Sequence, residues 1–458
     1  MKILGYIIVF LGLATSGAFA ADTKKVPVPT DSSTTVVNKL AAVYLIGEGR
    51  KSFDQGRIQD ALRRFREAYV RDPYNPQTSL WIAEAHYQLD NYGYALTYGK
   101  IAESLSEATD GDVFYLLARA YHRQGYLDSA RMNYDLAEIQ LPALRRDAYN
   151  IKQSIREIEF AQSIENKETV YEKQLLQDNL NSGYDDYAAL YTADGKGLYF
   201  VSRRPDTKGG GINPDDQRYF EDIYYTEWDE EYGEWKNPTN EIERMNTEGF
   251  DAIGYLSADG NTAYLTVNTS VLGIKNSTRS SDICISERRN EGRWSAPKPI
   301  SNKSINTSFF DGVPTLTADE NTMYFVSDRD GDRSKSDIYV VEKVGKSWGT
   351  AKKLPMNVNT KENETTPYIT PDGKYLFFSS NGRTGMGGYD IYITENLGNG
   401  QWSDPINIGK DFNTVNDDIY FRYYPNLEKV TMSTYTVIGQ KSSMDIYEVE
   451  VKDWDIFK

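Results

Sequence analysis

Residues 359–392 read NTKENETTPYITPDGKYLFFSSNGRTGMGGYDIY, and four other stretches of the chain repeat this skeleton. Each copy opens on Asn followed by Ser or Thr: Asn181-Ser182, Asn246-Thr247, Asn306-Thr307, Asn359-Thr360 and Asn413-Thr414. Thirteen positions on stands a turn, at Asp194-Gly195, Asp259-Gly260, Asp319-Glu320, Asp372-Gly373 and Asn426. In four copies the turn leads into a short apolar strand: Leu198–Ser202, Ala263–Thr266, Met323–Ser327, Leu376–Ser380. After a variable loop comes Asp-Ile-Tyr, beginning at Asp222, Asp337, Asp390 and Asp445, with Cys284 replacing the Tyr in the copy at Asp282. Four copies add Trp235, Trp294, Trp348 or Trp402. The spacing of 53 to 65 residues is near that of propeller blades. Asp-Gly supplies the tight hairpin turn, and an alternating apolar strand packs on both neighbouring blades. Residues 167–458 are therefore expected to form an all-β propeller of five blades, with six as the alternative. The fifth copy lacks its Trp-bearing outer strand. Val170–Leu176 is expected to supply it by pairing with the strand around Asp445–Val451, which leaves no open sheet edge.

Upstream the texture is helical. Ala61, Ala95 and Ala130 stand about 34 residues apart, and Gly49, Ala83 and Ala118 recur before them. Two helices cross closely only where side chains are small. Phe65 and Tyr134 fill the gap to the next repeat, Gly56 and Gly125 permit the turn inside a pair, and Pro73 and Pro142 stop second helices. Gly99 stands where repeat two would carry an aromatic, which weakens the packing expected there. A charged helix over about Ala143–Asn166 has the polar face that caps a helical stack. The organisation expected is a signal peptide (1–20), a flexible linker (21–37), helical repeats with their cap (38–166) and the propeller (167–458).

Lys2, the apolar run Ile3–Leu13 and Ala18-Phe19-Ala20 form a secretory signal pattern. Export to the periplasm follows as an expectation, and no stretch is long enough to span a bilayer. The formal net charge is −16, of which about −15 falls in residues 166–458. Such acidity argues against nucleic acid, where Lys and Arg must neutralise phosphates. The single cysteine, Cys284, excludes an internal disulfide and reads as packed filler. Neither His86 nor His122 has a Ser or Cys pattern for nucleophilic catalysis, and no α/β-hydrolase elbow is present. Carboxylates recur at equivalent blade positions, in Asp185-Asp186, Asp251, Asp311, Glu364 and Asp417-Asp418, which marks a structural element rather than a catalytic acid. The loop Asp328–Asp332 has calcium-like acids, but its Gly is misplaced and Arg329, Arg333 and Lys335 compete. No enzyme activity, metal or cofactor is expected.

Residues 41–142 resemble tetratricopeptide repeats, and that resemblance implies a concave groove that binds a peptide or partner protein. By register its lining would be Arg50, Phe53, Glu84, Tyr87, Tyr115, Arg119, His122 and Arg123. The C-terminal half resembles the WD40-like propeller of TolB and its relatives through the Asp-Gly, (Leu/Met)-Tyr-Phe-x-Ser and Asp-Ile-Tyr elements. Helical repeats followed by such a propeller are similar to the front part of OmpA-family, PorE-like envelope proteins of type IX secretion. That family continues into a peptidoglycan-binding OmpA domain, which is not carried over to a chain ending at Lys458. The resemblance implies a non-catalytic periplasmic scaffold or adaptor with envelope protein partners, associated with the outer membrane through them. A glycan- or small-ligand-binding propeller, or a glycan hydrolase, is the alternative.

Overall fold

The computed structural model describes residues 34–177, 179–272, 280–289, 292–330, 335–452 and 454. The expected signal peptide and most of the 21–37 linker lie outside the described residues, as do Asp332 and Arg333 of the calcium-like loop.

Three helix pairs come first: α1 (Val36–Asp54) with α2 (Ile58–Arg71), α3 (Pro76–Gln88) with α4 (Tyr92–Leu105), and α5 (Gly111–Arg123) with α6 (Leu127–Gln140). Local chemistry sets their ends. Thr35, Asn75 and Asp110 cap α1, α3 and α5 by accepting a backbone N–H two or three residues on. Gly56 and Gly125 take φ of 78° and 76° in the turns inside the first and third pairs, a conformation that favours glycine. The helices cross on fully buried Ala61, Ala83, Ala95, Ala118 and Ala130, and a Cβ on Gly49 would collide with the Phe65 ring. Gly99 leaves no gap: Leu117 fills the space beside it, and α4 runs unbroken. The cap departs from the single helix expected. It is split into α7 (Ala143–Ala148) and α8 (Ile151–Glu165) by Asn150, whose φ of 50° is left-handed. Asn tolerates that conformation because its short polar side chain bonds locally. α8 then buries Ile151, Ile158, Ala161 and Ile164 and leaves its charged side to solvent.

The rest is a five-bladed β-propeller, five sheets among the described residues. The first strands of the blades, β2 (Asp186–Tyr191), β6 (Asp251–Leu256), β11 (Asp311–Leu316), β16 (Glu364–Ile369) and β21 (Ile419–Tyr424), adjoin one another around the axis. Second strands are β3 (Gly197–Ser202), β7 (Thr262–Asn268), β12 (Thr322–Ser327), β17 (Tyr375–Ser380) and β22 (Lys429–Ile438). Third strands are β4 (Asp222–Asp229), β8 (Ser281–Arg289), β13 (Asp337–Val344), β18 (Asp390–Gly398) and β23 (Lys441–Glu450). The tryptophans end two-residue outer strands, β5 (Glu234–Trp235), β9 (Arg293–Trp294), β14 (Ser347–Trp348) and β19 (Gln401–Trp402), and in blades two to four a second short strand, β10 (Lys298–Pro299), β15 (Lys352–Lys353) or β20 (Ile406–Asn407), pairs the same third strand. The fifth blade takes its outer strand from the other end of the ring. β1 (Lys173–Leu175) pairs antiparallel with β23 in the register Lys173↔Val449, Leu175↔Tyr447.

The opening Asn of each copy is the fastener between blades. Asn246 accepts from the Ile223 N–H at 2.9 Å and donates to the Ile223 carbonyl at 2.7 Å, which clamps the Asp-Ile-Tyr strand of the preceding blade. Asn306 holds Ile283, Asn359 holds Ile338 and Asn413 holds Ile391 in the same way. At the seam Asn181 holds Ile446 at 2.8 and 3.0 Å, so the last blade is fastened to the first like any other. The residue after each Asn ties the recurring carboxylate. The backbone N–H and hydroxyl of Ser182, Thr247, Thr307, Thr360 and Thr414 donate to Asp186, Asp251, Asp311, Glu364 and Asp418, all fully buried. Arg204 and Arg329 complete two of these knots as ion pairs to Asp186 and Asp311, at 3.2 and 2.5 Å.

Candidate functional site

Of the expected groove residues, Glu84, Tyr87, Tyr115 and Arg119 contact one another, His122 and Arg123 reach the propeller, and Arg50 is exposed. Arg119 donates through Nη2 to both Glu84 carboxylate oxygens, at 2.6 and 2.8 Å. Its guanidinium is sandwiched between the rings of Tyr87 and Tyr115, at 4.3 and 4.5 Å from their centroids. Tyr115 in turn stacks on Tyr149 at 4.0 Å and donates its hydroxyl to the Tyr149 carbonyl. Glu84, Tyr87, Tyr115 and Arg119 thus form one ladder, in which the buried Arg119 Nε is left without a hydrogen-bond partner. Arg50 and Phe53 lie apart from it on Trp81, the guanidinium 5.0 Å above the indole and the Phe53 ring edge-on at 5.5 Å.

The propeller occupies the end of this face. His122 bonds the Met386 carbonyl through Nε2 at 2.8 Å. Burial pushes its imidazole down to about 4, so near neutral pH the ring is uncharged and Nε2–H is the donor. Arg123 donates to Asp417 at 3.1 Å and to the Val415 carbonyl at 3.4 Å. The glycine-rich loop 381–389 exists to admit these two side chains: a Cβ on Gly387 would crowd His122, and one on Gly388 would strike Arg123 and Asp417. The expected set is thus held in internal contacts at Glu84, Arg119, His122 and Arg123. Its basic end is consumed inside the molecule, because one register presents those side chains both to the concave face and to the propeller beneath it.

Residues that the sequence reading missed complete the junction. Asp90, at φ 59° in the α3–α4 turn, accepts from Arg218 Nη2 at 2.8 Å, Tyr435 hydroxyl at 3.1 Å and Tyr92 hydroxyl at 3.1 Å, while its carbonyl accepts from Ser442. Arg218 also donates to Asp185 at 2.8 Å. Gln217 accepts from the Asp60 N–H at the start of α2, and Gln153 of α8 donates to the Asn381 carbonyl. Gly93 packs its backbone directly against Gln440. Gly93 was the one signal available in advance, a helix-breaking residue inside a helical repeat.

Two surfaces stay outside this junction. Val36, Val37, Leu40, Val43 and Tyr44 of α1 are exposed by 59–75% and share one side of the helix. On the propeller, a groove of about 640 Å³ between blades one and two is lined by Tyr199, Tyr225, Trp228, Glu227 and Arg288 among others. Among the described residues no group of His, Cys, Asp and Glu has the arrangement of a metal site, and no helix is long and apolar enough to cross a membrane.

No protein-family model matches the chain, and no curated protein matches it. Solved structures that resemble it include the first tetratricopeptide domain of Spaghetti (RPAP3) bound to an HSP90 peptide, 22% identical over 27% of this chain and 95% of that one, with a TM-score of 0.26. The Yersinia enterocolitica type III secretion chaperone SycD, in complex with a peptide of the translocator YopD, is 14% identical over 28% of this chain and 99% of its own, with a TM-score of 0.26. The N-terminal domain of stress-induced protein-1 from C. elegans is 16% identical over 27% and 99%, with a TM-score of 0.24.

Proposed function

We propose that this chain is a non-catalytic scaffold of the cell envelope, exported to the periplasm and associated with the outer membrane through protein partners. The observation that carries the reading is the junction: a helical stack fixed to a propeller by buried polar contacts presents two outward surfaces in a set geometry. An exposed apolar stripe such as that on α1 is the usual mark of a protein contact, and its lack of charge fits an apolar partner face. The likeness to PorE-like proteins supports a type IX secretion or related outer-membrane complex as the setting. Residues 1–20 support export. The test is site-specific photocrosslinking in the native envelope from positions 40, 44, 123 and 228. Recurrent adducts of the same envelope proteins from 40 and 44, and none from buried 123, support the scaffold. Crosslinking at none of the exposed positions overturns it.

A glycan-binding propeller is the second reading, favoured by the aromatic and acidic lining between blades one and two. Binding of envelope glycans that Trp228→Ala removes would establish it.

A further inference from the structure

We propose that the central channel of the propeller holds a small monoanion, a halide or a formate-sized carboxylate, on the guanidinium of Arg422. Arg422 lies on β21, one of the strands around the axis, and reaches across to the second blade, where Nη2 donates to the Gly254 carbonyl at 2.6 Å. The residue is 4% exposed, and its buried Nε has no hydrogen-bond partner. Among the described residues no carboxylate pairs with it. Arg119, Arg123, Arg203, Arg204, Arg218 and Arg329 each do have one.

A guanidinium cannot shed its proton in a folded protein, and an isolated buried charge is costly until an opposite charge or several dipoles meet it. The groups around Arg422 are tyrosines. Tyr368 donates its hydroxyl to the Tyr423 carbonyl at 2.5 Å and Tyr424 to the Ala189 carbonyl at 3.3 Å, so both protons are engaged with backbone. Tyr420 borders a cavity of about 320 Å³ that also touches Gly254, Val313 and Glu221. Glu221 is the one acid on that wall. Arg203 Nη1 stands 4.0 Å from it, and burial holds its carboxyl above the usual range, so it opposes an anion weakly. Arg383 likewise bonds only backbone carbonyls and has an unpartnered Nε, but it is half-buried and feels Glu364; among the described residues Arg422 is the buried arginine with no acid to meet it. The scale of the site is small, because Gly254 already packs against Pro314 with no room for a Cβ. The cavity meets Arg422 through its acceptor Gly254, and a monoanion at that edge would take two parallel bonds from Nε and Nη when it is a carboxylate; a bulky polyanion would not be held so.

Crystals of the full chain soaked in bromide test this directly. An anomalous peak within hydrogen-bonding distance of the Arg422 guanidinium is expected, and its absence overturns the proposal. In solution, sodium gluconate is exchanged for chloride, formate or citrate at constant ionic strength. The melting temperature should rise and level off with chloride or formate, stay flat with citrate, and not respond to any of them in Arg422→Met. Equal responses of both proteins, or a citrate response matching formate, overturn it. Met is close in volume and leaves no buried charge, so the variant should fold; if it does not, the bromide crystals of the unaltered chain decide alone.

Discussion

Asp251 and Asp311 occupy equivalent knots in neighbouring blades, and their replacement by Asn should cost very different amounts. Each accepts the backbone N–H of its Thr at 2.6 Å and the Thr hydroxyl. Asp311 also holds Arg329 at 2.5 Å, and once the charge is gone Arg329 keeps backbone carbonyls, Ser327 and the faces of Phe325 and Tyr339 but no carboxylate. Breaking such a buried pair costs about 3–5 kcal/mol. Asp251 has no arginine: Thr269 stands where blade three has Arg329, and burial pushes the Asp251 carboxyl up to about 8. Near pH 7 that carboxyl is largely protonated, so Asn removes little, about 1 kcal/mol of hydrogen bonding. The pH dependence has a definite sign. A folded-state value above the ordinary 3.8 means that the native state holds a proton which the unfolded chain releases. Stability from this group is full below about pH 4 and is lost as pH rises toward 8, at about 1.4 kcal/mol per unit. Asp251→Asn abolishes that loss, so the variant should gain on the parent between pH 5 and pH 8. Urea unfolding followed by tryptophan fluorescence measures both. Equal costs for the two substitutions at pH 7, or a penalty for Asp251→Asn that grows with pH, would refute the reasoning.

Asn181→Ala removes three seam bonds, to Ile446 N–H, Ile446 carbonyl and Leu176 carbonyl, and should destabilise the propeller by about 2–4 kcal/mol; faster amide exchange confined first to β1 and β23 is the readout. Arg119→Glu sets a second carboxylate beside Glu84 between two tyrosines and should cost about 3–5 kcal/mol, so calorimetry must show it less stable than the parent. Arg218→Ala frees Asp90 and Asp185 together and loosens the clasp across the seam, so it should raise protease cleavage between α8 and β1 several-fold and lower the melting temperature of the propeller. Cys284, buried and with its thiol pushed up by that burial, should react with a thiol reagent only after unfolding.

The blade count and the closing strand were legible because they depend on local pattern: Asp-Gly fixes a turn, alternation fixes a face, and a missing Trp strand implies a donor elsewhere. The five carboxylates were legible as structural because they recurred. What could not be read was which side of a repeated helix meets the other half of the chain. Arg123 and His122 have the spacing of groove residues whether they face a peptide or Asp417 and Met386. Arg422 was hidden for a related reason. Its strand, β21, precedes the turn in the most divergent copy and carries no repeated motif, and only closure of the ring brings the arginine to the axis. The split at Asn150 was equally invisible, since nothing in the charge pattern of 143–166 marks one left-handed residue.

The junction and the ring closure bear on each other. Asp90 touches Arg218 in the first blade and Tyr435 and Ser442 in the fifth, so a single helical turn straddles the seam that β1 and Asn181 close. Gly93 presses on the hairpin between β22 and β23 from the same turn. The helical stack is thus a second clasp on the ring, and it cannot swing away while the Asp90 contacts hold. A force applied to α1 by a partner would be transmitted to blades one and five rather than absorbed in a loose tether. For a scaffold that geometry has a use: the α1 stripe and the blade one–two groove keep one relative orientation, and two partners bound to them would be held at one spacing.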